Sequence, residues 1–527
     1  MAPSSWSHAR EMNVALRRAA AFPVVVLWLS LADARPALAH GFGQRYDLPV
    51  PLWLYLYGAA SAVLLSFVVF GFFIGEKNAP GGYPRLNLLR FRLLRATLAS
   101  PVFVAGLRIF SVGIFVLIIL TGLFGDQTPV LNFAPTMVWV IWWVGGSLFV
   151  TLVGNVWAAA NPLKVVFEWA DRLTLRLGVE NGLDPDIPYP VSWDVWPALA
   201  LFFAFAWVEL VFWGSATPRN IAFLALLYSS VTWAGMSFFG KETWLRRGEA
   251  FSVFFDILAR FAPTEVRVTG GAACEGCDAC GIENKDVCVN CYGCFARAMP
   301  EHRELNLRPP AVGLLSSEGT SVARVAFIVF MLSSVTYDGL LATPVWVSLI
   351  FSLQSIAGSF GALSSLFYGT LGLLAVPLLF FALYAGFVKL CQALGGGTGF
   401  WKLAGSFAYS LVPIAFAYQA AHYFTLLLTD GQNIFYLASD PFRWGWNLFG
   451  TGGYEPNAAI VCAAFVWYSQ VALIVAGHVI AVYLAHAVAL RSAPNTKLAL
   501  RSQIPMVALM VLYTVTSLWI LSQPVVE

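Results

Sequence analysis

The sequence predicts an all-α polytopic membrane protein with about ten transmembrane helices and a small, cysteine-rich, metal-binding insert. Three observations support this class. Hydrophobic residues form 59% of the 527 positions and charged residues 11%, whereas soluble domains carry roughly 25% charged residues. The apolar residues are grouped in runs of about 20, the length that crosses a bilayer. Six of the eight cysteines lie within residues 274–294.

The apolar runs predict the order of the spans. They cover residues 50–74, 101–123, 137–157, 195–214, 220–240, 324–343, 362–388, 403–429, 459–490 and 504–523. The segment 345–361 is apolar but short, so it predicts a half-helix or an interfacial segment. Five runs precede the long loop 241–323 and five follow it, which divides the membrane part into halves 40–240 and 324–527. An odd number of spans per half gives the halves opposite orientations, as in many secondary transporters, although we see no sequence similarity between them.

The distribution of basic residues predicts the orientation. The loops assigned to the inner side contain 23 Lys and Arg residues, and the loops assigned to the outer side contain only Arg45, Arg219 and Arg443. Under the positive-inside rule, the cysteine-rich loop is cytoplasmic and both mature termini lie outside a bacterial-type inner (plasma) membrane. The ten basic residues around that loop could also contact anionic lipid.

The N-terminus has the pattern of a secretory signal. Three arginines precede an apolar stretch at 19–32, and an Ala-Leu-Ala triplet ends at Ala39, which matches the small-residue cleavage rule. We therefore predict a signal peptide over 1–39, with an uncleaved first helix as the alternative. Cleavage would expose His40, whose amine and imidazole could bind copper, although a histidine often follows a signal peptide by chance.

The cysteines form two identical C-x2-C-x2-C triads. Their members are Cys274, Cys277, Cys280, Cys288, Cys291 and Cys294. The cytoplasm keeps thiols reduced, which favours metal binding over disulfides. Each triad matches the core of a bacterial ferredoxin loop, although the usual fourth Cys-Pro is absent. Pairs of C-x2-C turns also fit a tetrahedral zinc site, which would use only four of the six thiols. An iron–sulfur cluster, zinc and a set of free or regulatory thiols remain open.

Four ionisable residues inside predicted spans form a second candidate site, because such residues are costly in a membrane and usually functional. They are Glu209, Asp338, His422 and His478. At about 1.5 Å per residue, all four lie roughly 10 Å below the outer surface. The two histidines would suit the axial positions of a b-type haem, metal coordination with a carboxylate or a proton relay. The alternative for each residue is pairing with a neighbouring helix.

Three functions fit these patterns. The first is a membrane redox protein whose iron–sulfur module passes electrons to or from quinone, haem or metal, with a redox partner at the cytoplasmic loop. The second is a secondary transporter or metal-handling permease with a zinc-binding loop. The third is a non-catalytic assembly or regulatory protein. The sequence favours the redox hypothesis because it accounts for the cysteines and the histidine pair together. No motif of a nucleic-acid-binding module is present.

Overall fold

The computed structural model describes most of the chain. The described residues are 50–73, 82–179, 182–183, 187–270, 273, 282–284, 287–315, 321–358, 361–395 and 399–523. The signal peptide predicted over 1–39, the copper ligand proposed at His40 and the first cysteine triad (Cys274, Cys277 and Cys280) lie outside these residues.

Long helices dominate, because apolar segments in a bilayer must satisfy their backbone hydrogen bonds within themselves. The earlier helices are α1 (Leu52–Phe73), α2 (Arg92–Leu98), α3 (Pro101–Phe124), α4 (Phe133–Leu152), α5 (Pro162–Arg176), α6 (Trp196–Leu210), α7 (Pro218–Phe239), α8 (Lys241–Arg247) and α9 (Ala250–Ala259). The later helices are α10 (Tyr292–Arg297), α11 (Val322–Leu341), α12 (Pro344–Ala357), α13 (Ser364–Gly395), α14 (Phe400–Ala408), α15 (Val412–Thr429), α16 (Asn433–Ser439), α17 (Ala463–Ser492) and α18 (Thr496–Leu521).

Nine helical stretches within the described chain are long and apolar enough to cross a membrane, which confirms the predicted class. They are α1, α2 with α3, α4, α7, α11, α13, the run from α14 to α16, α17 and α18. The remaining predicted span, 195–214, contains the 15-residue helix α6, which is only about 22 Å long at 1.5 Å per residue. The chain turns after Leu210 and the next helix starts at Pro218. Helix α12, with 14 residues, occupies the segment for which the sequence predicted a half-helix.

Helix α9 lies in the centre of the bundle, whereas the sequence analysis assigned it to the start of the cytoplasmic loop. Phe251 packs edge-on against Trp142 with ring centroids 4.6 Å apart. Phe254 lies 5.1 Å from both Trp143 and Phe202. A helix that is apolar on nearly all sides belongs in a core. The soluble insert therefore begins after α9.

The insert contains a five-stranded antiparallel sheet that the sequence analysis did not predict. Its strands are β1 (Leu86–Asn87), β2 (Thr264–Thr269), β3 (Ile282–Asn284), β4 (Val287–Val289) and β5 (Arg303–Leu307), in the order β1-β5-β2-β4-β3. The register of the central pair places Thr264 opposite Leu307 and Val268 opposite Arg303. Strand β1 comes from the loop after α1, so two separate loops form one sheet.

A buried ion pair fixes this sheet to the bundle. Arg308 donates to Glu265 over 2.6 Å, and the side chains are 1% and 0% exposed. Arg308 also donates to the carbonyl oxygens of Ala259 and Ala262, at the end of α9. Glu265 additionally accepts from Arg85, in the loop that contains β1. Hydrogen-bonded charges of this kind are strong when every partner is present.

Replacing Glu265 by Ala should destabilise the insert strongly, because Arg308 would remain buried without a carboxylate. The loss of one partner of a buried pair costs about 3–5 kcal/mol. The matched control is Glu304→Ala, whose partner Arg267 is 25% exposed and for which we expect less than about 1 kcal/mol. Thermal unfolding in detergent should show a clearly lower melting temperature for Glu265→Ala alone. Equal shifts for the two variants would contradict the anchoring role.

Candidate functional site

The second cysteine triad forms a compact cluster. Cys288 lies on β4, Cys291 directly precedes α10, and Cys294 lies within α10. Their Sγ atoms all lie within 4.8 Å of one another, and all three residues are buried. Thiolates at such distances can share a metal ion. The cysteines of the first triad lie outside the described residues, so the cluster described is that of the second triad.

The local backbone explains why these three thiols converge. Asn290 lies in the turn between Cys288 and Cys291 with a φ of 55°, a left-handed conformation that asparagine tolerates better than most residues. Its N–H donates to the carbonyl of Val266 over 2.8 Å, which fixes the turn on β2. The chain then enters α10, where a spacing of three residues returns Cys294 to the same face as Cys291.

The surroundings of the cluster are apolar, with a positive charge nearby. Val268, Ala298 and Phe295 pack around the sulfur atoms, and Arg297 Nη2 lies 3.8 Å from Cys294 Sγ. Hydrogen bonding from Cys288 is the main influence that lowers the pKa of Cys291 to about 4, although burial opposes ionisation. The thiolate is the form that binds metal, so the environment suits a metal ligand.

The second candidate site is built on Asp338 in α11. His422 Nε2 lies 2.9 Å from Asp338 Oδ2, and the Tyr423 hydroxyl donates to the same oxygen over 2.5 Å. Both partners of Asp338 come from α15. The side chains of Asp338 and His422 are 22% and 23% exposed, so the cluster is open on one side.

A small cavity joins this cluster to Glu209. Its lining includes Glu209 from α6, Trp143 from α4 and Phe254 from α9, together with Asp338 and Tyr423. It has room for roughly one water molecule, which is too little for a haem or a quinone ring. In the part of the chain that the structure describes, no Lys or Arg side chain lines it. Two of the four predicted residues, Glu209 and Asp338, therefore line one cavity, and a third, His422, contacts Asp338.

His478 does not belong to this cavity. It is fully buried in α17, and its Nδ1 lies 2.8 Å from the carbonyl oxygen of Ile474, four residues earlier. Its contacts lead to His422 through two tyrosine rings: Tyr513 at 5.8 Å, then Tyr418, which stacks on His422 at 6.0 Å. His422 itself is engaged by Asp338. Within the described residues, the two histidines do not form a facing pair for a haem.

No family model, no curated protein and no solved structure matches this chain.

Sequence reasoning missed two members of the intramembrane site. Tyr423 directly follows His422, but consecutive residues point in different directions on a helix, so adjacency alone did not indicate a shared contact. Trp143 lies in the π-helical turns of α4, Thr136–Gly145. These turns change the directions in which successive side chains point, and the hydrophobic pattern of the sequence does not reveal that change. Such turns are frequent at functional sites.

Proposed function

We propose that the protein is a proton-coupled secondary transporter of small cations, in which Glu209 and Asp338 bind and release the coupling ion. The observation that carries this proposal is the pairing of two carboxyl groups around one water-sized cavity, with no basic side chain in its described lining. Two ionised carboxylates that share one apolar cavity are costly to bury and repel each other. A proton or a bound cation between them would offset part of that cost.

The contacts of the two carboxyl groups support different roles for them. Asp338 accepts from Tyr423 and lies 2.9 Å from His422 Nε2. Glu209 approaches the same cavity from α6, and like charges that share a site do not readily ionise together. In this proposal Glu209 exchanges the proton, while His422 and Tyr423 position Asp338.

Interrupted helices surround the cavity, as they do at the ion sites of many transporters. Helix α6 ends at Leu210, α4 contains π-helical turns, and a 3-10 turn over Tyr409–Leu411 separates α14 from α15. Helix α6 belongs to the first membrane half, and α11 and α15 belong to the second. A site between two halves suits alternating access, and the small cavity requires such a movement before a cation can enter.

We further propose that the cysteine module faces the cytoplasm of a bacterial-type inner membrane. The support is the excess of 23 basic residues over three in the assigned loops. In this orientation the loop between α16 and α17, which precedes Cys462, is external. Membrane lipid is the immediate partner of the helices.

Electron transfer is a second candidate function, favoured by the number of thiols in the module. An iron–sulfur cluster held there would exchange electrons with a quinone, haem or metal in the membrane, and with a redox partner at the loop. Three buried thiols close to one another support metal binding of some kind. The water-sized cavity supports this function less, because it does not hold a quinone ring.

Replacing Glu209 by Gln should abolish proton-coupled transport, since the amide keeps the shape of the side chain but cannot release a proton at the cavity. Proteoliposomes with an entrapped pH-sensitive dye would be exposed to gradients of sodium, potassium, zinc or manganese. At least one gradient should change the internal pH with the wild-type protein and not with Glu209→Gln. Asp430→Asn, a carboxylate beyond the end of α15, is the matched control and should behave like the wild type. A full response by Glu209→Gln would contradict the proposal.

A membrane-impermeant maleimide applied to intact spheroplasts should label Cys462 and leave the cysteine module unlabelled. Cys462 is exposed and Cys288, Cys291 and Cys294 are buried, so labelling is repeated after permeabilisation and metal chelation to confirm that the module can react. External labelling should disappear in Cys462→Ser. Persistent labelling of that variant from outside would invert the proposed orientation.

Visible spectroscopy separates the two candidate functions. As a transporter, the purified protein should have no visible absorbance that bleaches with dithionite, and it should contain no acid-labile sulfide. A bleachable band accompanied by iron and sulfide would instead favour electron transfer, because iron–sulfur clusters change their absorbance on reduction.

A further inference from the structure

We infer that Cys288, Cys291 and Cys294 bind a single thiophilic divalent ion of the zinc type, whose role is to fix α10 against α8 and β2. This inference is independent of the transport proposal, because it concerns a different site and is tested without a transport assay.

The spacing of the sulfur atoms supports one ion. Around one tetrahedral zinc with bonds of about 2.3 Å, sulfur atoms are about 3.8 Å apart. All three Sγ atoms lie within 4.8 Å of one another, so a small contraction would bring them to that distance. In a cuboidal iron–sulfur cluster each cysteine binds a different iron, which spreads the sulfur atoms farther apart than around one ion.

The chemistry of the pocket agrees with a structural thiolate site. Three thiolates carry three negative charges, and soft thiolate ligands select zinc over harder ions such as magnesium. The guanidinium of Arg297 beside Cys294 offsets part of that charge. The Cys288–Cys291 turn is rigid, because Asn290 holds it on β2. The fourth position of a tetrahedral ion is open to a ligand outside this triad.

The position of α10 indicates what the ion would stabilise. A Cβ atom placed on Gly293 would lie 3.0 Å from the carboxylate of Glu242 in α8, so the two helices are close and glycine permits their approach. On another side, Val268 of β2 packs against the cysteine cluster that includes Cys294 of α10. Helix α10 has only six residues and is too short to be stable alone. Cross-linking it to β4 through a metal would hold it on α8 and β2.

Structural metal sites of this kind contribute directly to folding stability. Loss of the ion should therefore loosen α10 on the sheet.

The first test measures metal content and coordination in the purified full-length protein. Elemental analysis should find zinc, and exchange with cobalt should produce the visible bands of a tetrahedral cobalt–thiolate complex. Cys291→Ser should lower bound zinc or cobalt at least tenfold. The matched controls Cys391→Ser, a buried cysteine in α13, and Cys462→Ser, an exposed one, should keep the wild-type content. Iron with acid-labile sulfide, or an unchanged metal content in Cys291→Ser, would overturn the inference.

The second test uses the wild-type protein and does not depend on a variant that folds. Zinc is removed with a strong chelator and hydrogen exchange is compared before and after. Exchange should rise at least tenfold in α10 and to a smaller extent in β2, and it should return to the original rate when zinc is added back. Magnesium should not restore it. Identical exchange with and without zinc would show that the ion does not fix α10.

Discussion

The packing of α9 at the centre of the bundle is the constraint on which the other features depend. Its phenylalanines lie among Trp142, Trp143 and Phe202, and aromatic pairs in such edge-on or tilted contacts add about 0.5–1.5 kcal/mol each beyond the area they bury. The N-terminus of α9 is capped by the Glu249 carboxylate, which accepts from two backbone N–H groups. With its sides and its start fixed, α9 forms a wall of the cavity, and its C-terminal end contacts the sheet through Arg308.

The buried charged groups of this protein form two kinds of arrangement. One stabilises the fold, and the other lies at the candidate functional site. Glu265 and Arg308 are buried, but every charge has its counter-charge and several carbonyl oxygens complete the geometry. The cavity has two carboxyl groups and no basic side chain in its described lining, and His422 contacts one of those groups, Asp338. The first arrangement is stable in one protonation state. The second changes its energy whenever an ion arrives or leaves, which is the property that a coupling site requires.

Much of the fold follows from the sequence, for physical reasons that also define where prediction fails. Hydropathy predicts spans well because a bilayer allows few alternatives to an apolar helix. It failed at residues 195–214, where the apolar run continues past Leu210 although the helix does not. It also missed the sheet, since strands of two to six residues are too short for a periodic signal. It placed α9 outside the core because a helix of ten residues is too short to be recognised as a membrane span and was therefore counted as part of the loop.

At the intramembrane site, the sequence predicted the depth of the residues but not which of them contact one another. Counting residues along a helix estimates depth, so Glu209, Asp338, His422 and His478 all appeared to share one level. Depth does not fix the direction in which a side chain points. His422 faces Asp338, whereas His478 faces its own helix and Tyr513. For the cysteines, by contrast, spacing alone was informative, because a turn followed by a helix leaves little freedom for residues three apart.

The sheet also has a consequence for the order in which the protein is made. Tyr83 and Arg308, which flank β1 and β5, are 225 residues apart in the chain. Until β5 leaves the ribosome, β1 cannot form its pair with that strand. Of the nine long helical stretches in the described chain, four precede β5 and five follow it. Long-range pairings of this kind form slowly, so we expect the sheet to close only after the helices of the first membrane half have been synthesised.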